Sequence, residues 1–297
     1  MAQATAIKTY DVSTNVRDVT DLISVVAPTK TPFYSGLEKV KAINKLHEPQ
    51  TYALTTGQSN AQVEGGDYTL SKGAVPSTGS NYTQIFYKNA KVSKTQQAVS
   101  TYGIEDMLAK EIEWRMKEIA TDVENALLQG TGASGASGTA REITGALASI
   151  STNVETGTGT GSEALTEGMF NDILQTIYDA GGEPDQAYVN SWQKRKISTF
   201  STSSTRNIDA GDKRLVNSVD VYESDFGIIE IYLDQFMATD SVLVIDKKLW
   251  AVAMLRPFIV EDYPSSGSYV AKTIEGELTL EARNEKGSGK IVSLSTS

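Results

Sequence analysis

Apolar residues recur at Ile104, Leu108, Ile112, Met116, Ile119, Val123 and Leu127, the three-and-four spacing that lines one face of an α-helix. The pattern predicts a helix over 103–129, about 40 Å long at ~1.5 Å per residue, with this stripe buried on a β-layer. Glu105, Glu113, Lys117 and Glu124 fall on its other faces, and Gly130 and Gly132 stop it. A second pattern runs from Tyr269 to Arg283, where Val270, Ile274, Leu278, Leu280 and Ala282 alternate with Thr273, Glu275, Glu277, Thr279 and Glu281. Strict alternation predicts a long strand buried on one side only.

The other segments are less regular. Residues 1–35 read as an arm, with a short helical stripe at Val16, Val19, Leu22, Ile23 and Val26 that Pro28 and Pro32 terminate. Residues 44–95 read as a long hairpin, Leu46–Leu54 returning as Asn81–Thr95 around a Gly- and Ser-rich tip. Such a hairpin is marginal alone and needs a surface to lie on. Residues 131–165 read as linker around the island AREITGALASI. A helix over Glu167–Ala180 follows the N-cap candidate Thr166 and stops at Gly181-Gly182. Then come a strand at Ala187–Val189, a basic helix near Gln193–Phe200 carrying Lys194, Arg195 and Lys196, and a polar loop to Asn217. Two hairpins are predicted next: Val219–Glu223 with Gly227–Leu233, and Val242–Ile245 with Leu249–Leu255 turning at 246–248.

Composition narrows the chemistry. The chain of 297 residues has no cysteine and one histidine, His47, so zinc–thiolate sites and thiol nucleophiles are excluded and a Ser–His relay hangs on one residue. Net charge is −10, against the basic face a dedicated nucleic-acid binder carries. No apolar run reaches the roughly 20 residues that span a bilayer, and the first residues lack a signal-peptide core, so a cytosolic site of synthesis is expected. Gly130 to Gly135 spells GxGxxG but follows a helix instead of a strand, which reads as linker. Gly287-Ser288-Gly289-Lys290 has the look of a phosphate loop, but Asn284 and Ile291 replace its other required residues and a hairpin turn is expected. His47-Glu48 lacks the second histidine of a zinc-protease helix. No spacing singles out a carboxylate pair, so no catalytic, metal or cofactor-binding residue is assigned.

The order of elements is informative: an arm, a long loop, one long helix, a mixed insert and a long late strand. It resembles the Hong Kong 97-type capsid fold over nearly the whole chain, an α+β fold of N-terminal arm, extended loop, spine helix, peripheral strands and axial domain. Thr31-Pro32-Phe33, the run SNYTQIFYKNAKVSKTQQAV from Ser80, EIATDVENALLQG from Glu118 and AREITGALASI from Ala140 are similar to a capsid subfamily of tailed bacteriophages, the Siphophage-SU type. The resemblance implies an arm at 1–40, an extended loop at 41–95, a peripheral domain at 96–135 and 258–297, and an axial domain at 136–257. It implies a structural, non-enzymatic subunit that self-assembles as pentamers and hexamers into an icosahedral head around double-stranded DNA. The DNA would be held without sequence-specific contact, and no membrane or cofactor is involved. Portal, scaffold and decoration proteins are further partners of this class, and the virion, assembled in host cytoplasm, is the expected location. No cleaved scaffolding segment is expected ahead of the fold, and Lys72 near the loop tip is not assigned to a crosslink. A cellular nanocompartment shell of the same fold, or a carboxylate-dependent hydrolase, remains as an alternative.

Charge adds one expectation. Residues 41–94 hold Lys41, Lys45, Lys72, Lys88, Lys91 and Lys94 against Glu48, Glu64 and Asp67, whereas the helix at 103–129 is acidic. Lys88, Lys91 and Lys94 are therefore candidates to meet Glu111, Glu113 and Glu118 of a neighbouring copy.

Overall fold

The computed structural model describes residues 29–200 and 220–296, apart from Ala53, Thr55, Thr56, Gln58, Asn60, residues 68–71, Tyr102, Thr160 and Ser162. The stripe at 16–26 and the loop at 201–217 lie outside the described residues.

Helix α1 (Pro32–Gly36) is followed by β1 (Glu38–Lys41). Pro32 opens this helix, since its missing N–H is harmless at the first helical position. Four two-residue strands come next: β2 (Leu46–His47), β3 (Gln50–Thr51), β4 (Ser77–Thr78) and β5 (Asn81–Tyr82). Pairing of β2 with β5 and of β3 with β4 makes the expected hairpin. It is shorter than the sequence suggests, because β6 (Gln84–Ser93) leaves it for another partner.

After α2 (Lys94–Ala98) the long helix α3 runs Met107–Gln129. It starts later than expected because Asp106 caps it, accepting from the N–H groups of Leu108 and Ala109. Ile104 lies ahead of the helix in a bridge with Thr101. Strands β7 (Thr131–Ala133) and β8 (Glu142–Thr144) then pair antiparallel, so the expected linker is a hairpin turned back on α3. Gly130 makes that turn possible: a Cβ there would sit 2.3 Å from the Ile143 carbonyl oxygen. Ile143, Ala146 and Ile150 of the island are fully buried core.

The chain continues through α4 (Ala146–Ser149), β9 (Val154–Thr156), α5 (Glu167–Asp179), β10 (Gln186–Val189) and α6 (Ser191–Phe200). Thr166 caps α5 as expected, accepting from Met169 N–H. Last come β11 (Val221–Ser224), β12 (Gly227–Leu233), β13 (Val242–Ile245), β14 (Trp250–Tyr263), β15 (Tyr269–Ala282) and β16 (Gly289–Val292).

Two sheets organise these strands. The first has the order β1-β14-β15-β6, and α3 lies across β6 and β15. The second has the order β11-β12-β10-β13-β16-β9, with α5 and α6 on one face. Its central strands are buried on both sides: Ala187, Val189, Val242 and Val244 pack under those helices, whereas Tyr188, Leu243 and Ile245 join the core beneath α3.

Two predicted turns prove to be crossings between the sheets. Residues 246–249 hand the chain from β13 to β14, which lie in different sheets and do not pair. Residues 283–288 likewise carry it from β15 to β16. The Trp250 indole N–H donates to Ser288 Oγ at 2.8 Å, tying the crossings together. The break expected at 257 between peripheral and axial parts therefore falls inside β14, and β16 belongs to the six-stranded sheet.

Candidate assembly surfaces

The seven-residue stripe of the long helix divides in two. Ile119, Val123 and Leu127 are buried, but Leu108 and Ile112 are half-buried and Met116 is 47% exposed. Between the middle of α3 and the first sheet, Met116, Ala120, Tyr34, Phe258, Val260 and Ile274 line an open apolar groove.

The acids of α3 are engaged within the chain. Arg115 binds Glu111 at 2.6 Å and Glu118 at 2.7 Å, and Glu113 accepts from Lys110 at 2.8 Å and Lys117 at 2.7 Å. Those two lysines hold the Glu113 carboxyl down at about 2. Lys88 does meet α3 carboxylates, Asp122 at 2.9 Å and Glu118 at 3.7 Å, but within one chain because β6 lies under the helix. Its hydrogen bond to Asp122 raises its pKa. Lys91 sits over the Tyr269 ring at 3.9 Å, and Lys94 begins α2. Neither makes an ion pair with α3 among the described residues. Exposed pairs of this sort are each worth ~0–1 kcal/mol.

A stronger cluster was not read from the sequence. The face of β15 predicted to be polar and open is covered at its C-terminal half by the loop base and by β8 with its preceding turn. Glu277 is buried there, accepting from Arg141 Nη2 at 2.6 Å, Thr83 Oγ1 at 2.6 Å and Arg256 Nε at 3.1 Å. Thr279 Oγ1 donates to the Tyr82 carbonyl. Glu281 lies 2.7 Å from His47 Nε2 and accepts from Arg283 Nε at 2.8 Å, and Arg283 continues to Glu38. Burial pushes the Glu281 carboxyl up, but the hydrogen bonds from Arg283 and His47 outweigh it and hold it below its ordinary value. Asn81 completes the joint, donating to the carbonyls of Thr144 and Leu280 and accepting from Thr144 N–H. Its only sequence signal is acids alternating with threonines on one strand; the partners lie far away along the chain.

The loop base is thus fixed, whereas apolar side chains nearer its tip are bare. Tyr52, Leu54, Val63 and Val75 are each more than half exposed. The bare apolar residues on this anchored projection and the open apolar groove are the candidate assembly surfaces among the described residues. The glycine run at 130–135 lies in the β7–β8 hairpin, and residues 287–290 span the end of the second crossing and the start of β16.

Comparison with known proteins agrees with this geometry. The family model described as SU10 major capsid protein matches residues 5–295. The major capsid protein of Escherichia phage Phieco32 is 25% identical over 342 residues, covering 97% of each chain. Among solved structures, the capsid asymmetric unit of cyanophage A-1(L) superposes with a TM-score of 0.74 at 12% identity, covering 98% of this chain and 99% of that one. The holo-SrpI encapsulin complex of Synechococcus elongatus PCC 7942 gives 0.64 at 6% identity, covering 95% and 94%.

Proposed function

Because the chain belongs to the SU10 major capsid protein family, we propose that it works as the self-assembling subunit of an icosahedral phage head, joining as pentamers and hexamers around double-stranded DNA. It is the major capsid protein of a tailed phage and has the Hong Kong 97-type fold. The observation that carries the reading is the family match over residues 5–295; the likeness to the encapsulin is one of fold. In this reading the six-stranded sheet with α5 and α6 is the axial part, and the four-stranded sheet with α3 is the peripheral part. The anchored loop is the reach of one subunit over the next, and its bare apolar residues are what the neighbour covers. The net charge of −10 suits a wall that must let DNA in and out, since few cations face phosphate. Assembly in host cytoplasm, and docking to portal, scaffold or decoration proteins, follow from the same role. The arm belongs to it too, because its apolar stripe needs a surface to cover it.

Negative-stain microscopy of the expressed chain tests the proposal. Angular shells of uniform size are the expected result, and soluble protein without shells is expected when residues 1–30 are deleted. Small particles alone from the full chain, under conditions that keep it folded, would overturn the reading. Shells filled with host protein instead of DNA in an infected lysate would turn it toward a nanocompartment.

A further inference from the structure

Glu124 sits in the C-terminal third of α3, on a face that the sequence pattern assigns to solvent, yet it is completely buried. Its two carboxyl oxygens accept from the backbone N–H groups of Phe33 and Tyr34, both at 2.7 Å. These are among the first N–H groups of α1, which lack partners inside that helix. A second buried carboxyl lies beside it, that of Asp234 from the turn after β12. Asp234 Oδ1 accepts from Phe236 N–H at 2.8 Å, and its buried Oδ2 has no hydrogen-bond partner among the described residues. Two carboxyl groups buried side by side favour sharing one proton.

Among the described residues no cation is hydrogen-bonded to the pair. Lys39 on β1 acts on Glu124 through space but donates its ammonium group to the carbonyls of Tyr34 and Leu37. Lys247 faces Lys39. The Tyr188 and Tyr232 hydroxyls of β10 and β12 donate to Gln186 and Glu230, and Asp185 adds negative charge nearby. Tyr34 is half-buried on α1. The pair therefore joins three parts of the molecule: the residues where the arm meets the fold, the long helix, and the six-stranded sheet.

We propose that Glu124 and Asp234 form a proton-held latch that clamps the root of the N-terminal arm to the long helix and opens when the shared proton leaves. Burial, reinforced by the neighbouring Asp234, pushes the Glu124 carboxyl up to about 8, although the N–H groups of Tyr34 and Phe33 act against the rise. Burial raises Asp234 as well. A raised carboxyl favours the closed form while it keeps its proton, so closure is complete in acid and is lost as pH rises through the folded value.

Hydrogen exchange on the full chain tests the latch. Protection of the Phe33 and Tyr34 amides, corrected for the intrinsic rate, should fall by roughly tenfold per pH unit from the ordinary carboxylate range up to about pH 8 and level off above it. Asp234→Asn supplies a permanent donor to Glu124 and keeps the acceptor for Phe236, so its protection should stay flat with pH. Glu124→Gln has one acceptor for two N–H groups and should leave at least one amide unprotected at every pH. A wild-type profile as flat as that of Asp234→Asn, or an Asp234→Asn profile as steep as wild type, overturns the proposal. Should Asp234→Asn fail to fold, infrared spectroscopy of wild type decides. A buried protonated-carboxyl stretch at neutral pH that vanishes in alkali supports the latch, and its absence at neutral pH rejects it.

Discussion

Replacing Glu277 by Gln removes one buried negative charge while keeping volume and shape, so no cavity term enters. The carboxylate serves Arg141, Arg256 and Thr83. Hydrogen bonds to charged groups contribute about 1.5–3 kcal/mol each, and breaking a buried ion pair typically costs about 3–5 kcal/mol. Here the cationic partners keep water: the side chains of Arg141 and Arg256 are 26% and 50% exposed, against 5% for Glu277. They can rehydrate, and the amide still offers one acceptor, so the expected loss is ~2–3 kcal/mol, toward the lower end. Arg256→Ala should cost less than ~1 kcal/mol, since it removes the half-exposed partner and leaves Glu277 with Arg141. Urea unfolding of unassembled protein measures both, as a shifted midpoint at constant slope. A Glu277→Gln change within ~0.5 kcal/mol of wild type, or an Arg256→Ala loss as large, would show that the cluster does not anchor the loop base.

Ile119→Ala should destabilise the unassembled chain by about 2–5 kcal/mol, as a fully packed position does, whereas Met116→Ala, on the groove side of the same stripe, should stay within ~1 kcal/mol; equal losses in denaturant titration would refute the division of the helix. A Lys88→Ala/Asp122→Ala double-mutant cycle should return a measurable coupling of ~0.2–1 kcal/mol at low salt that shrinks as salt rises, and zero coupling at low salt would rule out the pairing within one chain.

How much of this was legible depended on whether the deciding contact lay near in sequence. The long helix, α5 with its Thr166 cap, and the β11–β12 hairpin are local, and spacing and turn residues located each. The order of elements carried the fold, and four short runs of residues carried the family. Glu124 was misjudged because the amides it serves are 91 and 90 residues away. Periodicity cannot separate a solvated acid from one that caps a distant helix. Glu277 was misjudged for the same reason, with Arg141 136 positions upstream and Thr83 194. Residues 246–249 carry turn chemistry, which fixes a change of direction but not which sheet receives the next strand. Lys88 was matched to the right helix, and it meets Asp122 and Glu118 of its own chain because β6 pairs with a strand introduced almost two hundred residues later.

The place of β16 in its sheet bears on how the subunit is made. It lies between β13 and β9, antiparallel to the first and parallel to the second, yet it is translated after every other strand. Until residues 289–292 have left the ribosome, β9 has no neighbour in the sheet and β13 presents a bare edge. The two halves of the molecule are then stitched together by contacts of long sequence separation, which close slowly. A nascent or prematurely terminated chain therefore lacks a finished sheet, and translation itself acts as a timer. A chain that stops before residue 289 would carry an unpaired β9 and a bare β13 edge, the kind of edge that pairs with the wrong partner.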